Sequence, residues 1–342
     1  MIKQFGGKLK PEHKEKYAQS ENWKEGKFMN LAETSMEFSF QDLPKLLYKQ
    51  FFQRAGRNPK TPLPVETFNR EAFLAPSDEP KFIWYGHSVV LFRWMGKTIL
   101  MDPMLGPNAS PIAPFTTKRF SENTLDLIDQ FPEIDLLLMT HDHLDLASIE
   151  KLKGKTKKWF VALGVGRHLE AWGVPSENIQ EFDWWDEARF EGIQFTFTPS
   201  RHFSGRGLKD RAKSLWGGWV MISNKHKIFW SGDGGYGDHF KEIGDKFGPF
   251  DFGFMECGQY NENWHQIHMY PEEAVQAAID SKVSRALPVH CCGFALALHH
   301  WKDPIERFAA EARNKGLPLS TPNLGSLSTL KSSGEDWWEG LE

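Results

Sequence analysis

Between residues 140 and 145 the chain reads Thr-His-Asp-His-Leu-Asp, directly after the apolar run Ile-Asp-Leu-Leu-Leu-Met of residues 134–139. In extended backbone alternate side chains share a face, so His141, His143 and Asp145 can point one way while Asp142 and Leu144 point elsewhere. Two imidazoles and a carboxylate at the mouth of a buried strand match the ligand chemistry of zinc, manganese or non-haem iron. The plainer alternative is a polar loop that closes the strand, its histidines merely hydrogen-bonding. Further ligand-type residues follow other apolar stretches. Phe195-Thr-Phe-Thr-Pro-Ser-Arg leads to His202, Ile228-Phe-Trp-Ser-Gly to Asp233 and Ala286-Leu-Pro-Val to His290. Several strand ends converging on one chemistry make a composite site more specific than any single motif.

The order His-x-His-x-Asp, His, Asp, His resembles the metallo-β-lactamase superfamily of metal-dependent hydrolases. Further segments are similar to its N-acylphosphatidylethanolamine-hydrolysing phospholipase D branch: Trp84-Tyr-Gly-His-Ser, Asp102-Pro-Met, Asp183-Trp-Trp-Asp, Thr198-Pro-Ser-Arg-His, Ser231-Gly-Asp-Gly-Gly-Tyr and His268-Met-Tyr-Pro-Glu-Glu-Ala. The resemblance runs from about Phe82 to about Leu324. It implies that His141, His143 and His202 hold a first metal, and Asp145, Asp233 and His290 a second, with Asp233 bridging. It also makes Asp102 the residue that orients the metal loop by hydrogen bonding. One position departs from the pattern. Where the family writes His-x-His-x-Asp-His, the last residue here is Leu146. Leucine cannot coordinate zinc, so one or two ions are expected, the second weakly held.

Bound water acidified from a pKa of about 15.7 towards about 7 would supply hydroxide at neutral pH. Hydrolysis by metal-bound hydroxide follows as the expected reaction, with Asp145 or Asp233 orienting it or accepting its proton. The branch implies phosphodiester cleavage in N-acylphosphatidylethanolamine or a related phospholipid. Two other readings stay open: a hydrolase of another ester, lactone or cyclic phosphate, and a metal- or lipid-binding relative without catalysis. His268, just before the helix-starting Pro271, could serve substrate binding or proton transfer, or only cap and pack. The glycines around Asp233 fit neither nucleotide fingerprint; they suit backbone crowding around a ligand. Lys118 and Arg119 could meet a phosphate or stand as solvated charges.

These residues need elements to position them. The 342 residues, 40% hydrophobic and 25% charged, suit a layered globular chain with ample core. A net charge of −4 speaks against a dedicated nucleic-acid binder. Cys257, Cys291 and Cys292 are too few for a disulfide framework, which favours a reducing, cytoplasmic setting and buried thiols. No secretory signal or span of about 20 apolar residues is visible. Residues 1–78 read as an N-terminal extension, polar over 11–28 and with an amphipathic helix over 38–54 that packs on its own domain or lies at a membrane interface. The hydrolase domain is expected over 79–330 and a tail over 331–342. Antiparallel strands are expected over 81–87, 89–94 and 98–101, then a helix over 124–131, the metal strand, a helix over 146–153, a strand over 159–163 and a helix over 166–172. Such alternation implies an α/β class. The resemblance sharpens it to an αββα sandwich of two mixed sheets flanked by helices, preceded by the helical extension. Paired tryptophans, Trp184-Trp185 and Trp337-Trp338, are expected to fill core or rim an interface, a lipid-facing surface being the sharper alternative.

Overall fold

The computed structural model describes residues 3–35, 48, 56–109, 117–207 and 210–342. The amphipathic helix expected over 38–54 lies, apart from Tyr48, outside the described residues. Among the described residues no helix is long and apolar enough to cross a membrane.

A short ribbon, β1 (Trp23–Lys24) with β2 (Lys27–Phe28), precedes the sheets. The first sheet draws on β3 (Lys81–Trp84), β4 (Val90–Trp94), β5 (Lys97–Met101), β6 (Ile134–Met139), β7 (Thr156–Ala162) and β8 (Ile179–Phe182). The second takes β9 (Glu187–Phe190), β10 (Ile193–Thr198), β11 (Gly218–Ile222), β12 (Lys227–Trp230), β13 (Phe252–Glu256) and β14 (Ala286–Val289). Finally β15 (Leu327–Thr329) returns to the first, whose order is β15-β3-β4-β5-β6-β7-β8; the second runs β14-β13-β12-β11-β10-β9. Both sheets are mixed. In the first, β3 to β5 pair antiparallel and β5 to β8 parallel. In the second, β9 to β12 pair antiparallel and β12 to β14 parallel.

The sheets face one another through aromatic side chains. Phe82 meets Phe254 at a ring separation of 5.3 Å, and Phe160 meets Phe195 at 5.7 Å. Strand periodicity explains how one strand serves two cores. On β11, Trp219 and Met221 join the inter-sheet core while Val220 faces the second cluster, with Phe240 and Ile243 of the helix His239–Phe247 and Ala274 and Ala278 of the helix Pro271–Asp280. On the first sheet's side, the helices Leu127–Gln130, Leu146–Leu152 and Gly166–Ala171 contribute Ile128, Ile149 and Leu169 to the main core. The result is the expected αββα sandwich. Each fully buried Phe or Leu contributes roughly 1.5–3 kcal/mol relative to an exposed one.

Both ends of the chain pack onto this sandwich. Tyr17 and Phe28 of the N-terminal segment, and Trp338 near the C-terminus, belong to the main core. Trp184 is buried with its indole N–H donating to the Trp216 carbonyl at 2.6 Å. All three cysteines are buried free thiols.

Candidate metal centre

β6 is buried apart from the half-buried Asp135 and ends where the metal loop begins. Its parallel pairing with β5 sets Met101 opposite Leu138, which brings Asp102 beside Thr140. The Asp102 carboxylate then accepts from the Thr140 N–H at 2.8 Å and from the Thr140 hydroxyl at 3.0 Å. The same hydroxyl lies 2.8 Å from His141 Nδ1. One nitrogen of His141 is thereby held from behind, leaving Nε2 for the site, the arrangement by which outer partners orient ligating histidines. Asp142 faces away, accepting from the Gly205 N–H and the Ser214 hydroxyl.

The second sheet supplies the other ligands. His202 follows β10; its Nδ1 is 3.0 Å from the Ile267 carbonyl, and its backbone is clasped by the side chain of Asn30 from the N-terminal segment. Asp233 follows β12 on a glycine-lined turn. A Cβ on Gly232 would come within 2.0 Å of the Gly217 carbonyl oxygen, and one on Gly235 within 2.0 Å of that of Gln266, so the chain can approach this closely only without side chains. His290 follows β14 with φ of 65°.

His141, His143, His202 and Asp233 each present one ligand atom, all within 4.8 Å of one another. His141 Nε2 is 3.4 Å from one Asp233 oxygen, and His290 Nδ1 is 3.2 Å from the other. Burial, reinforced by neighbouring imidazoles, holds the pKa of His141, His202 and His290 well below the usual range. Burial pushes Asp233 well above the carboxylate range, with Asp102 adding to the effect, and raises Asp102 itself to about 7. The Nε2 atoms of His141, His202 and His290 are buried without a hydrogen-bond partner. Leaving such an atom unsatisfied costs about 1–3 kcal/mol each. Neutral imidazoles with free lone pairs, grouped around a carboxylate, fit a transition-metal ion.

Asp145 does not join them, which corrects its expected roles as second-metal ligand and catalytic carboxylate. It caps the helix Leu146–Leu152: Oδ1 accepts from the Ser148 N–H at 2.7 Å, and Oδ2 from the Ser148 hydroxyl at 2.7 Å and the Gly106 N–H at 3.2 Å. The unpaired N–H groups of the helix start compete for the same carboxylate, and they win here. Leu146, the first residue of that helix, packs against the core. Arg119 is also corrected: buried, it donates to the carbonyls of Met104 and Tyr85 and presents neither a solvated charge nor a free phosphate ligand.

His268 belongs to the site. Its ring lies 5.0 Å from that of His202 and 5.2 Å from that of His290, and its Nδ1 is 2.9 Å from Oε1 of Glu256. Glu256, the fully buried last residue of β13, went unread in the sequence. The signal was there in Phe-Gly-Phe-Met-Glu, an apolar run ending on a ligand-type residue like the others. Asn30 had no such signal.

Beside His141, His143, Asp233, His268 and His290 opens a cavity of about 380 Å³, within the range of small-molecule sites. Its walls include Met104, Leu144, Phe203, Trp264, Ile267 and Leu296. Arg206 is the one Lys or Arg among the described lining residues, and its guanidinium donates to the carbonyls of Asp142, Leu144 and Gln4.

Comparison with known proteins agrees with this architecture. A family profile described as a beta-lactamase superfamily domain matches residues 97–291. An uncharacterised protein of Mycobacterium tuberculosis is 34% identical over 312 residues, covering 89% of this chain and 83% of its own. The N-acyl-phosphatidylethanolamine-hydrolyzing phospholipase D 1 of Caenorhabditis elegans is 31% identical over 222 residues, covering 60% of this chain and 62% of its own. Among solved structures, a metallo hydrolase from Ignicoccus hospitalis superposes with a TM-score of 0.56 at 19% identity, covering 73% of this chain and 97% of that one.

Proposed function

The chain belongs to the beta-lactamase superfamily and is a metal-dependent hydrolase of the metallo-β-lactamase fold, and from that premise we propose that it is a zinc phosphodiesterase of phospholipase D type. The substrate on this reading is N-acylphosphatidylethanolamine or a related phospholipid. The observation that carries it is the placement of His141, His143 and Asp233, grouped with His202, at a cavity with apolar walls. Such a site takes a polar reacting group attached to apolar chains.

A metal bound by these four residues supplies Lewis acidity and a water acidified towards neutral pH. The residues of the chain do the rest. His141 and His202 are pre-oriented by Thr140 and the Ile267 carbonyl. Asp233, set between His141 and His290, is placed to orient the attacking water or hold its proton. His268 reaches the cavity with its Nδ1 engaged by Glu256, so its other nitrogen serves the substrate. Phe203, Trp264 and Ile267 exclude water from the reacting group, and Leu296, 38% exposed, offers an apolar lip towards a membrane surface.

A second reading, a smaller ester, lactone or cyclic phosphate, is favoured by two features. The cavity volume of about 380 Å³ suits a compact substrate, and the lining Arg206 is engaged by carbonyls rather than open to a phosphate. The test is hydrolysis of N-acylphosphatidylethanolamine in mixed micelles by zinc-loaded protein, beside bis(p-nitrophenyl) phosphate and an ester and lactone panel. Chelator-sensitive release of phosphatidic acid supports the first reading. Metal-dependent turnover confined to the small substrates selects the second.

A further inference from the structure

We propose that the chain holds a second metal ion at Glu256, His268 and His290, away from the place that the family's ligand order implies. The inference rests on the metal-centre reading above and adds a site to it.

The implied place lacks one ligand and has another engaged elsewhere. Leu146 has no donor atom, and both oxygens of Asp145 are engaged in capping the helix that Leu146 begins. His290 keeps its Nδ1 3.2 Å from Asp233, and its Nε2 has no hydrogen-bond partner. One ligand atom from each of Glu256, His268 and His290 lies within 4.8 Å of the others. Around a tetrahedral ion with bonds of about 2.0–2.2 Å, neighbouring ligand atoms stand about 3.3–3.6 Å apart. His268 Nδ1 and Glu256 Oε1 are already at 2.9 Å, so a small adjustment of side chains brings the set to coordination.

Two independent features point to a cation there. His290 is buried and its Nε2 has no hydrogen-bond partner. Glu256 is fully buried, its hydrogen bonds include those from His268 Nδ1 and the backbone N–H groups of Met269 and Gly258, and no Lys or Arg among the described residues is bonded to it. A buried carboxylate without a countercharge is costly, and a divalent ion between it and two imidazoles removes that cost. Asp233 joins the two groups, one oxygen towards His141 and the other towards His290.

The test is metal stoichiometry by elemental mass spectrometry on the full chain, zinc-loaded and then freed of excess by gel filtration. We expect two ions per chain in the wild type, one in Glu256→Gln and one in His268→Gln, and two in both Asp145→Asn and Leu146→His. Circular dichroism checks folding, and His268→Gln decides if Glu256→Gln does not fold. Two ions retained in both Glu256→Gln and His268→Gln would overturn the proposal, as would loss of one ion in Asp145→Asn. A single ion in wild type, Glu256→Gln and His268→Gln alike would also overturn it while leaving the first centre intact. No ion in the wild type would sink both readings, and loss of the first ion in His143→Ala separates the two centres.

Discussion

The two rims of the metal centre are built in opposite ways. On one side His141, His143 and Asp145 lie within five residues, at the end of a single strand. On the other, Glu256, His268 and His290 are spread over 35 residues; the parallel register of β13 and β14, which pairs Glu256 with Val289, brings Glu256 beside His290, and the segment before the Pro271 helix adds His268. The compact rim has one of its three expected ligands engaged in a helix cap, while the three residues of the dispersed rim are brought within reach of one another. Proximity in sequence thus secured less than register did. A residue one step before a helix serves that helix first, because the helix start leaves backbone donors unpaired.

The largest expected effect tests whether the compact rim is indispensable. His143→Ala should lower hydrolysis of bis(p-nitrophenyl) phosphate by about 10²–10³-fold or more, the scale on which loss of one transition-state-stabilising group acts. Activity above a tenth of wild type would break the comparison by making that rim dispensable. Next, Asp102→Ala removes both anchors of Thr140. Zinc affinity measured by chelator competition should fall about 10–100-fold, as when an outer partner of a ligand is lost; unchanged affinity would mean that His141 is oriented without them. Asp145→Ala should leave zinc stoichiometry unchanged while lowering stability by about 0.5–2 kcal/mol, read from urea unfolding. Stability equal to wild type would show that the cap contributes nothing and return Asp145 to the list of candidate ligands.

The smallest effect sharpens the contrast from outside both rims. His239 lies apart from the two groups, and burial holds its pKa down to about 3. The unfolded chain therefore binds a proton that the folded chain does not between about pH 3 and 6.5, so this contribution is complete above pH 6.5 and is lost as pH falls through that window. From pH 7 to 6 the loss is about 0.7 kcal/mol for one histidine. Urea unfolding of His239→Phe at the two pH values should show a correspondingly weaker pH dependence; an identical slope would show that His239 stays neutral in both states.

Much of the fold was legible beforehand. The alternation over 81–101, the apolar run ending at Met139 and the helix opening at Pro271 all formed close to their expected positions. The helix expected over 146–153 formed as Leu146–Leu152, and its N-terminus takes Asp145 as its cap. Glu256 was overlooked because a glutamate after an apolar strand is common, and only its partners distinguish it. Asn30 clasps His202 from 172 residues away, a relation that no local pattern encodes.

The sequence by itself determined the chemistry of the centre: imidazoles and a carboxylate at strand ends, and a leucine where a ligand is expected, because residue type dictates which atoms can donate to a metal. The tertiary structure alone decided which of those residues meet. Strand register joined Glu256 to His290 across the second sheet, and a helix N-terminus drew Asp145 out of the site, since a side chain's partner is set by the donors and acceptors that folding brings within hydrogen-bond reach.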